Sequence, residues 1–305
     1  MKIIKGIERI RIRNPVVALG NFDGVHRGHR KILKTAAKHA KIEGAESIAI
    51  TFDPHPQQFI RPERGLRLLT TLEEREELIC EAGIDDLVVI RFDESLRSMN
   101  YRQFVKKYLI EGLGARRVFV GYDYAFGKSR SGDVSHLKAL GREMGFVVTE
   151  IPPVHFGGKV VKSRFVREFL SSGRFREALA LLGHDYLVSG KVVSGVGRGR
   201  ELGFPTANLL VDEHKLVPAP GVYAGFVVIG GRKRRCVVNI GSRPTFPADG
   251  GAIEVHILGF KKNIKGRKLK VSLLQRFRDE LQFSDVKDLI KQIKRDVKKA
   301  ARIRI

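Results

Sequence analysis

Cysteine is nearly absent: Cys80 and Cys236 are the only two in 305 residues. They stand too far apart for a C-x-x-C or zinc spacing, which excludes a disulfide framework or thiolate metal site and fits a reducing cytoplasm. No apolar run reaches the ~18 residues that a bilayer requires; the longest candidates, such as 224–229, have strand length. A membrane-spanning segment is therefore not expected. The start, MKIIKGIERIRIRNP, is basic but broken by charges, so it lacks the apolar core of an export signal. Acidic residues are also scarce, 33 against 57 Lys and Arg, for a formal net charge of +24. Such a surplus would suit a nucleic acid or a membrane surface. The cations are spread along the whole chain, however, and nucleic-acid-binding signatures are missing. The charge reads better as a field that concentrates phosphate-bearing small ligands, with no nucleic acid and no membrane as partner.

What is present is the texture of two domains. Short β-rich runs at 16–19, 47–52, 87–92, 118–122 and 146–151 alternate with helical patterns, the signature of an α/β parallel sheet with crossover helices. Thr70-Thr71-Leu72-Glu73 has capping-box spacing and opens a helix that Gly83 closes. After a helical stretch at 174–182, Gly183 reads as a stop and the pattern changes to short strands between Gly and Pro turns. The expected boundary divides 1–183 from 184–305. Strands at 186–193, 221–229, 235–240, 253–258 and 269–274 have the density of a small closed barrel. Val286, Leu289, Ile290, Ile293 and Val297 then mark one face of a final helix, with a solvated basic face opposite.

The strongest local signal is GNFDGVHRGH at 20–29, directly after the apolar run 16–19. A strand entering a glycine-rich turn and then a helix aims backbone N–H groups at one point, which suits a polyphosphate. Gly20, Asn21, Phe22, Asp23 and Gly28 are the candidate nucleotide contacts. His26 and His29 share a helical face and can donate hydrogen bonds to phosphate oxygens during in-line displacement, with Gly28 allowing a ligand close to the backbone. A bare H-x-G-H is equally compatible with histidines that cap a helix or bind a stray metal. In its flanking context the segment resembles the nucleotidyltransferase superfamily, whose H-x-G-H loop binds a nucleotide triphosphate.

Within that superfamily GNFDGVH and FDPHP at 52–56 resemble the flavin adenylyltransferase branch. The resemblance implies flavin contacts from His55, Pro56 and Tyr122. VGYDYAFG at 120–127 resembles the branch's third element and implies that Asp123 lies near the metal and both substrates. The superfamily's clamp, I-S-S-T-x-I-R, is matched in part by Val161-Lys162-Ser163-Arg164-Phe165-Val166-Arg167. Ser163 and the catalytic Arg167 are retained, whereas Lys162 and Arg164 replace small hydroxyl residues. Long cations attract phosphate without reproducing short positioned bonds, so adenylyl transfer is expected to be unusually sensitive to salt.

A second glycine-rich segment, GRGRELGFPTAN at 197–208, lacks the Gly-Lys-Ser/Thr of a Walker loop. Gly197, Gly199 and Gly203 allow a wrap around phosphates, with Pro205 and Thr206 beside them. Thr206 and Asn208 offer hard oxygens suited to Mg2+. Alone, the stretch could equally be a glycine-rich barrel turn. GVYAG at 221–225, NIGSRPTF at 239–246 and EVHIL at 254–258 follow in order, and together these motifs resemble bacterial riboflavin kinase. That resemblance implies that P-T-A-N binds Mg2+ and ATP and that Glu254 is the general base. It also implies that Arg278 and Glu280, in an R-D-E-x-x-F segment, lie at the flavin.

Nearly the whole chain thus resembles the bifunctional riboflavin kinase/FMN adenylyltransferase family. The implied fold is a Rossmann-like nucleotidyltransferase domain followed by a six-stranded β-barrel with a C-terminal helix. The implied ligands are riboflavin, ATP and Mg2+, with FMN and FAD as products. Two alternatives remain at this level: a riboflavin kinase with a silent first domain, motivated by Lys162 and Arg164, and a non-catalytic flavin- or RNA-binding module, motivated by the charge.

Overall fold

The computed structural model describes residues 1–7, 14–195, 197–241 and 253–305. They form two compact units, Met1–Ser163 and Arg164–Ile305. The first unit runs β1 (Lys2–Lys5), β2 (Val16–Leu19), α1 (Arg27–Glu43), β3 (Ser47–Asp53), α2 (Pro56–Ile60), α3 (Leu72–Glu81), β4 (Asp86–Arg91), α4 (Glu94–Ser98), α5 (Tyr101–Phe104) continued by a π-helical stretch, β5 (Arg117–Gly121), α6 (Val134–Met144), β6 (Val147–Ile151) and a hairpin of β7 (His155–Phe156) and β8 (Lys159–Val160). The main sheet is parallel throughout, in the order β1-β4-β3-β2-β5-β6. Chain order reverses around β2, where a doubly wound sheet leaves a crevice at its strand ends. All four β2 residues are buried, as helices on both faces require.

Two local differences from the sequence reading have physical causes. β1 escapes the pattern because it is a four-residue edge strand, KIIK, with lysines at both ends, a common way to blunt an edge. The capping box of α3 is Thr71 with Glu74, one residue later than the expected Thr70 with Glu73. Thr70 is occupied elsewhere, by the loop that precedes α1.

The second unit holds α7 (Ser163–Ser171, opening at the unit boundary), α8 (Phe175–Leu182), β9 (Tyr186–Val193), α9 (Arg198–Glu201), β10 (Ala207–Val211), β11 (Gly221–Ile229), β12 (Arg232–Ile240), β13 (Ile253–Ile257), β14 (Lys268–Arg278) and α10 (Val286–Ala300). Its strands close as β10-β13-β12-β11-β14-β9, so no edge is left open. Ala300 and Val297 of α10 pack on Val222, Ala224 and Val237 of the barrel. Gly183 ends α8 in the left-handed conformation, its N–H bonded to the Leu179 carbonyl at 2.8 Å. The helices before it belong with the barrel's unit: Phe175 meets Tyr223 edge-on at 5.1 Å, and Leu170 accepts a bond from the Ala219 N–H.

Candidate active sites

Strain and glycine concentrate where β2 hands over to α1. Phe22 (φ 50°) and Val25 (φ 36°) are left-handed without being glycine, a cost of about 1–3 kcal/mol each that typically collects at functional loops. A Cβ on Gly20 would lie 2.8 Å from the Phe22 ring, and one on Gly24 2.6 Å from Leu69. His26 caps α1, its Nδ1 accepting the His29 N–H at 3.2 Å. That leaves Nε2 to carry the ring proton and to donate. The two imidazoles are stacked, with centroids 3.7 Å apart and planes 16° from parallel, and Phe22 meets His29 edge-on. Gly28 lies under this stack: a Cβ there would sit 3.1 Å from the His26 ring. The histidines' own packing therefore already calls for glycine.

The loop is braced from beneath by buried polar groups. Asp23 turns its carboxylate inward, accepting from the Leu69 N–H (3.2 Å), the Thr70 N–H (3.0 Å) and the Thr70 hydroxyl (3.2 Å). The Thr70 oxygen accepts in turn from the Gly24 N–H. Arg75 of α3, wholly buried, donates to the Asn21 carbonyl, the Thr51 hydroxyl and the Phe52 carbonyl. Burial pulls its pKa down, while Asp23 and Asp53 oppose that shift. Arg75 thus couples the loop before α1 to the end of β3, where FDPHP begins. Motif reading overlooked it because a lone arginine inside a helix carries no signature.

The expected flavin corner is built partly by capping. His55 is a buried N-cap of α2, accepting the Gln57 N–H at 3.2 Å, and Pro56 is the first helical residue. Tyr122 and Asp123 follow β5. Lys162 reaches them, its ammonium 3.1 Å from an Asp123 oxygen and 5.4 Å from the Tyr122 ring centroid. Hydrogen bonding to Tyr122, then to Asp123, holds the Lys162 pKa up. One Asp123 oxygen holds the Lys162 ammonium in this arrangement, so a metal ion there would compete with Lys162 for the carboxylate. The other clamp residues fall on both sides of the unit boundary. Ser163 donates to the Asp23 carbonyl at 3.1 Å, Arg164 stacks on Phe165, and Arg167 lies along α7 in the second unit.

In the second unit, 197–204 folds into a turn bonded to itself: Arg200 N–H to Gly197 O, Gly203 N–H to Arg200 O, and Phe204 N–H to Gly199 O. Gly197 and Gly203 are both left-handed at φ 84°. A Cβ on Gly199 would sit 3.1 Å from the Thr206 hydroxyl, and one on Gly195 would overlap the Asn208 carboxamide. Glycines thus leave space beside the two proposed oxygen ligands. β10 begins inside the motif, setting Asn208 directly opposite Glu254 of β13, whose other neighbour in register is Asn239 of β12. Glu254 is half-buried while Ile253 and Val255 are buried, so strand alternation turns it away from the barrel interior. The row offers a carboxylate flanked by two amides. Among the described residues no cluster of three or more His, Cys, Asp or Glu side chains could hold a metal ion. A divalent ion here would rely on hydroxyl, amide and nucleotide oxygens, a donor set that fits Mg2+.

Arg278 is committed to α10, donating to Asp296 at 2.7 and 3.1 Å, and it also lines a cavity of about 510 Å3 between α8 and β14. Glu280 lies exposed beyond β14. Residues 242–246 of the NIGSRPTF motif fall outside the described residues. His256, two residues after Glu254 on β13, lies on the same face and carries no role in the motif as read from sequence. It bonds the Pro205 carbonyl at 2.9 Å.

An FAD synthetase family model matches residues 9–165, and a riboflavin kinase model matches 182–304. The bifunctional riboflavin kinase/FMN adenylyltransferase of Listeria monocytogenes is 37% identical over 287 residues, covering 93% of this chain and 90% of that protein. Its counterpart in Pseudomonas fluorescens is 36% identical over 300 residues, covering 97% and 96%. A crystal structure described as a macrolide-efflux protein from Streptococcus pneumoniae has TM-score 0.88 and 29% identity over 100% of both chains. Among the described residues no helix here is long and apolar enough to cross a membrane. With both halves matched and more than one residue in three identical across nearly the full length, the chain belongs to the bifunctional riboflavin kinase/FMN adenylyltransferase family.

Proposed function

We propose that the chain phosphorylates riboflavin with ATP to give FMN and ADP in its second unit, and in its first transfers AMP from ATP to FMN, giving FAD and pyrophosphate. The observation that carries this reading is the register of Glu254 between Asn208 and Asn239, beside the glycine-built turn. There the Glu254 carboxylate accepts the proton of the ribityl 5′-hydroxyl as its oxygen attacks the γ-phosphorus and ADP leaves. Mg2+ held by Thr206, Asn208 and the nucleotide would neutralise the charge on the transferring phosphoryl group. Asn239 and the turn's backbone orient the substrates.

In the first unit a phosphate oxygen of FMN attacks the α-phosphorus of ATP and pyrophosphate leaves. His26 and His29 donate to the phosphate oxygens from a stacked pair whose geometry is fixed by Phe22 and Gly28. Asp23, expected at the nucleotide, acts by bracing the loop that presents these groups. Location in the cytoplasm is proposed from the two free cysteines, the Cys236 thiol being buried and pushed up to about 12 by that burial.

A kinase-only reading is favoured by one observation, the seating of Lys162 on Asp123. Chromatography of products from riboflavin, ATP and Mg2+ separates the two. FMN followed by FAD is the expected result, FMN alone selects the kinase-only reading, and neither product overturns both. His29→Ala should stop FAD and spare FMN.

A further inference from the structure

We infer that His256 is a positioning residue for the kinase reaction, holding 204–206 and with it Thr206 against the strand that carries Glu254. The inference rests on the kinase reading above. Pairing of β10 with β13 begins at Ala207 opposite Val255. One step further the ladder would set Thr206 opposite His256, and a second step Pro205 opposite Ile257. Proline has no N–H to give to the Ile257 carbonyl, which accepts instead from the Phe260 N–H, and the β10–β13 pairing does not extend to Pro205. The Pro205 carbonyl is left to a side-chain donor. His256 supplies it: Nδ1 lies 2.9 Å from the Pro205 oxygen, and because a carbonyl can only accept, Nδ1 carries the proton. The Phe204 ring meets the His256 ring edge-on, with centroids 5.7 Å apart and planes at 80°, which fixes the imidazole's orientation.

The consequence lies in what this bond connects. The turn at 197–204 closes on itself through backbone bonds, and these do not reach β13. The side-chain bond from His256 ties that turn to β13, two residues from Glu254 and on the same face of the strand. Thr206 lies between the tethered Pro205 and the paired Ala207. Its hydroxyl is therefore held from both sides, facing the space that Gly199 leaves. Displacing a positioned donor or ligand by even 1 Å weakens a phosphate site, so the effect should fall on ATP rather than on riboflavin.

The test uses the full chain and three substitutions. In His256→Asn the carboxamide nitrogen takes the place of Nδ1, whereas in His256→Gln it lies one bond too far. His256→Ala removes the donor. The Ala and Gln variants should raise the ATP KM in FMN formation about fivefold, the loss of one hydrogen bond, and Asn should stay within about twofold. The riboflavin KM and FAD formation from FMN should not move. Calorimetric binding of ADP with Mg2+ should show the same order without turnover. An unchanged ATP KM in the Ala variant, equal effects of Asn and Gln, or a lowered melting temperature with no change in ATP affinity would each overturn the inference. Wild-type protein that makes no FMN would instead remove the kinase reading on which it stands.

Discussion

Phe175→Ala should weaken the barrel unit while leaving adenylyl transfer intact. Phe175 opens α8, is 3% exposed, and meets Tyr223 of β11 edge-on. Deleting a buried phenylalanine costs about 3–5 kcal/mol, the removed transfer energy plus the cavity left behind. The low end applies here because the ring borders a cleft that is open to solvent, so the vacated space need not remain an empty void. Set against a usual domain stability of about 5–15 kcal/mol, that is a large share. With a urea m-value of about 1–3 kcal/mol/M, the unfolding midpoint should fall by about 1–3 M. The two activities make separate assays: FMN formation should be lost at markedly lower urea in the variant, and FAD formation from FMN at unchanged urea. A fragment beginning at residue 184 should likewise be less stable than one beginning at 164, since it lacks both helices that belong with the barrel's unit. A midpoint shift below about 0.5 M, or equal stability of the two fragments, would refute the assignment of α8 to the barrel and support an independent unit starting after Gly183.

Two substitutions test the chemistry. Glu254→Gln keeps size and removes the proton acceptor, so FMN formation should fall by about 10²–10⁴-fold with riboflavin binding retained, and a near-normal rate would remove Glu254 as base. Lys162→Ser should change FAD formation by less than about fivefold with ordinary salt dependence, because the ammonium is engaged with Asp123 in an exposed pair, at 39% and 56% exposure, worth under about 1 kcal/mol. A loss beyond a hundredfold, or a steep decline of wild-type FAD formation with salt, would show that Lys162 serves the triphosphate instead.

The alternation of strands and helices was readable because burial imposes a period on each element. The runs at 16–19, 47–52 and 118–122 became β2, β3 and β5, and 286–297 became α10, although Val286 at its start is exposed and the stripe from Leu289 to Val297 is only half-buried. β10 was not readable, because a strand that starts within P-T-A-N is defined by its partners Val255 and Val192 and not by its own pattern. The site was legible in residue type and order but not in side-chain direction. GNFDGVH presents Asp23 as a nucleotide contact, yet its carboxylate is taken by Leu69 and Thr70, some 46 residues away in sequence. Lys162 aligns with a phosphate clamp, and its ammonium is taken by Asp123. In both cases a partner distant in sequence decides where the charge points, and no local pattern encodes such a partner. His256 reverses the situation. The two-residue spacing from Glu254 on a strand is visible in sequence, and so is the proline that interrupts strand pairing at 205, next to which a backbone carbonyl is open to a side-chain donor. A proline that ends a strand pairing is thus a sequence-level clue to backbone carbonyls that a side chain can hold, of a kind that a search for catalytic residue types passes over.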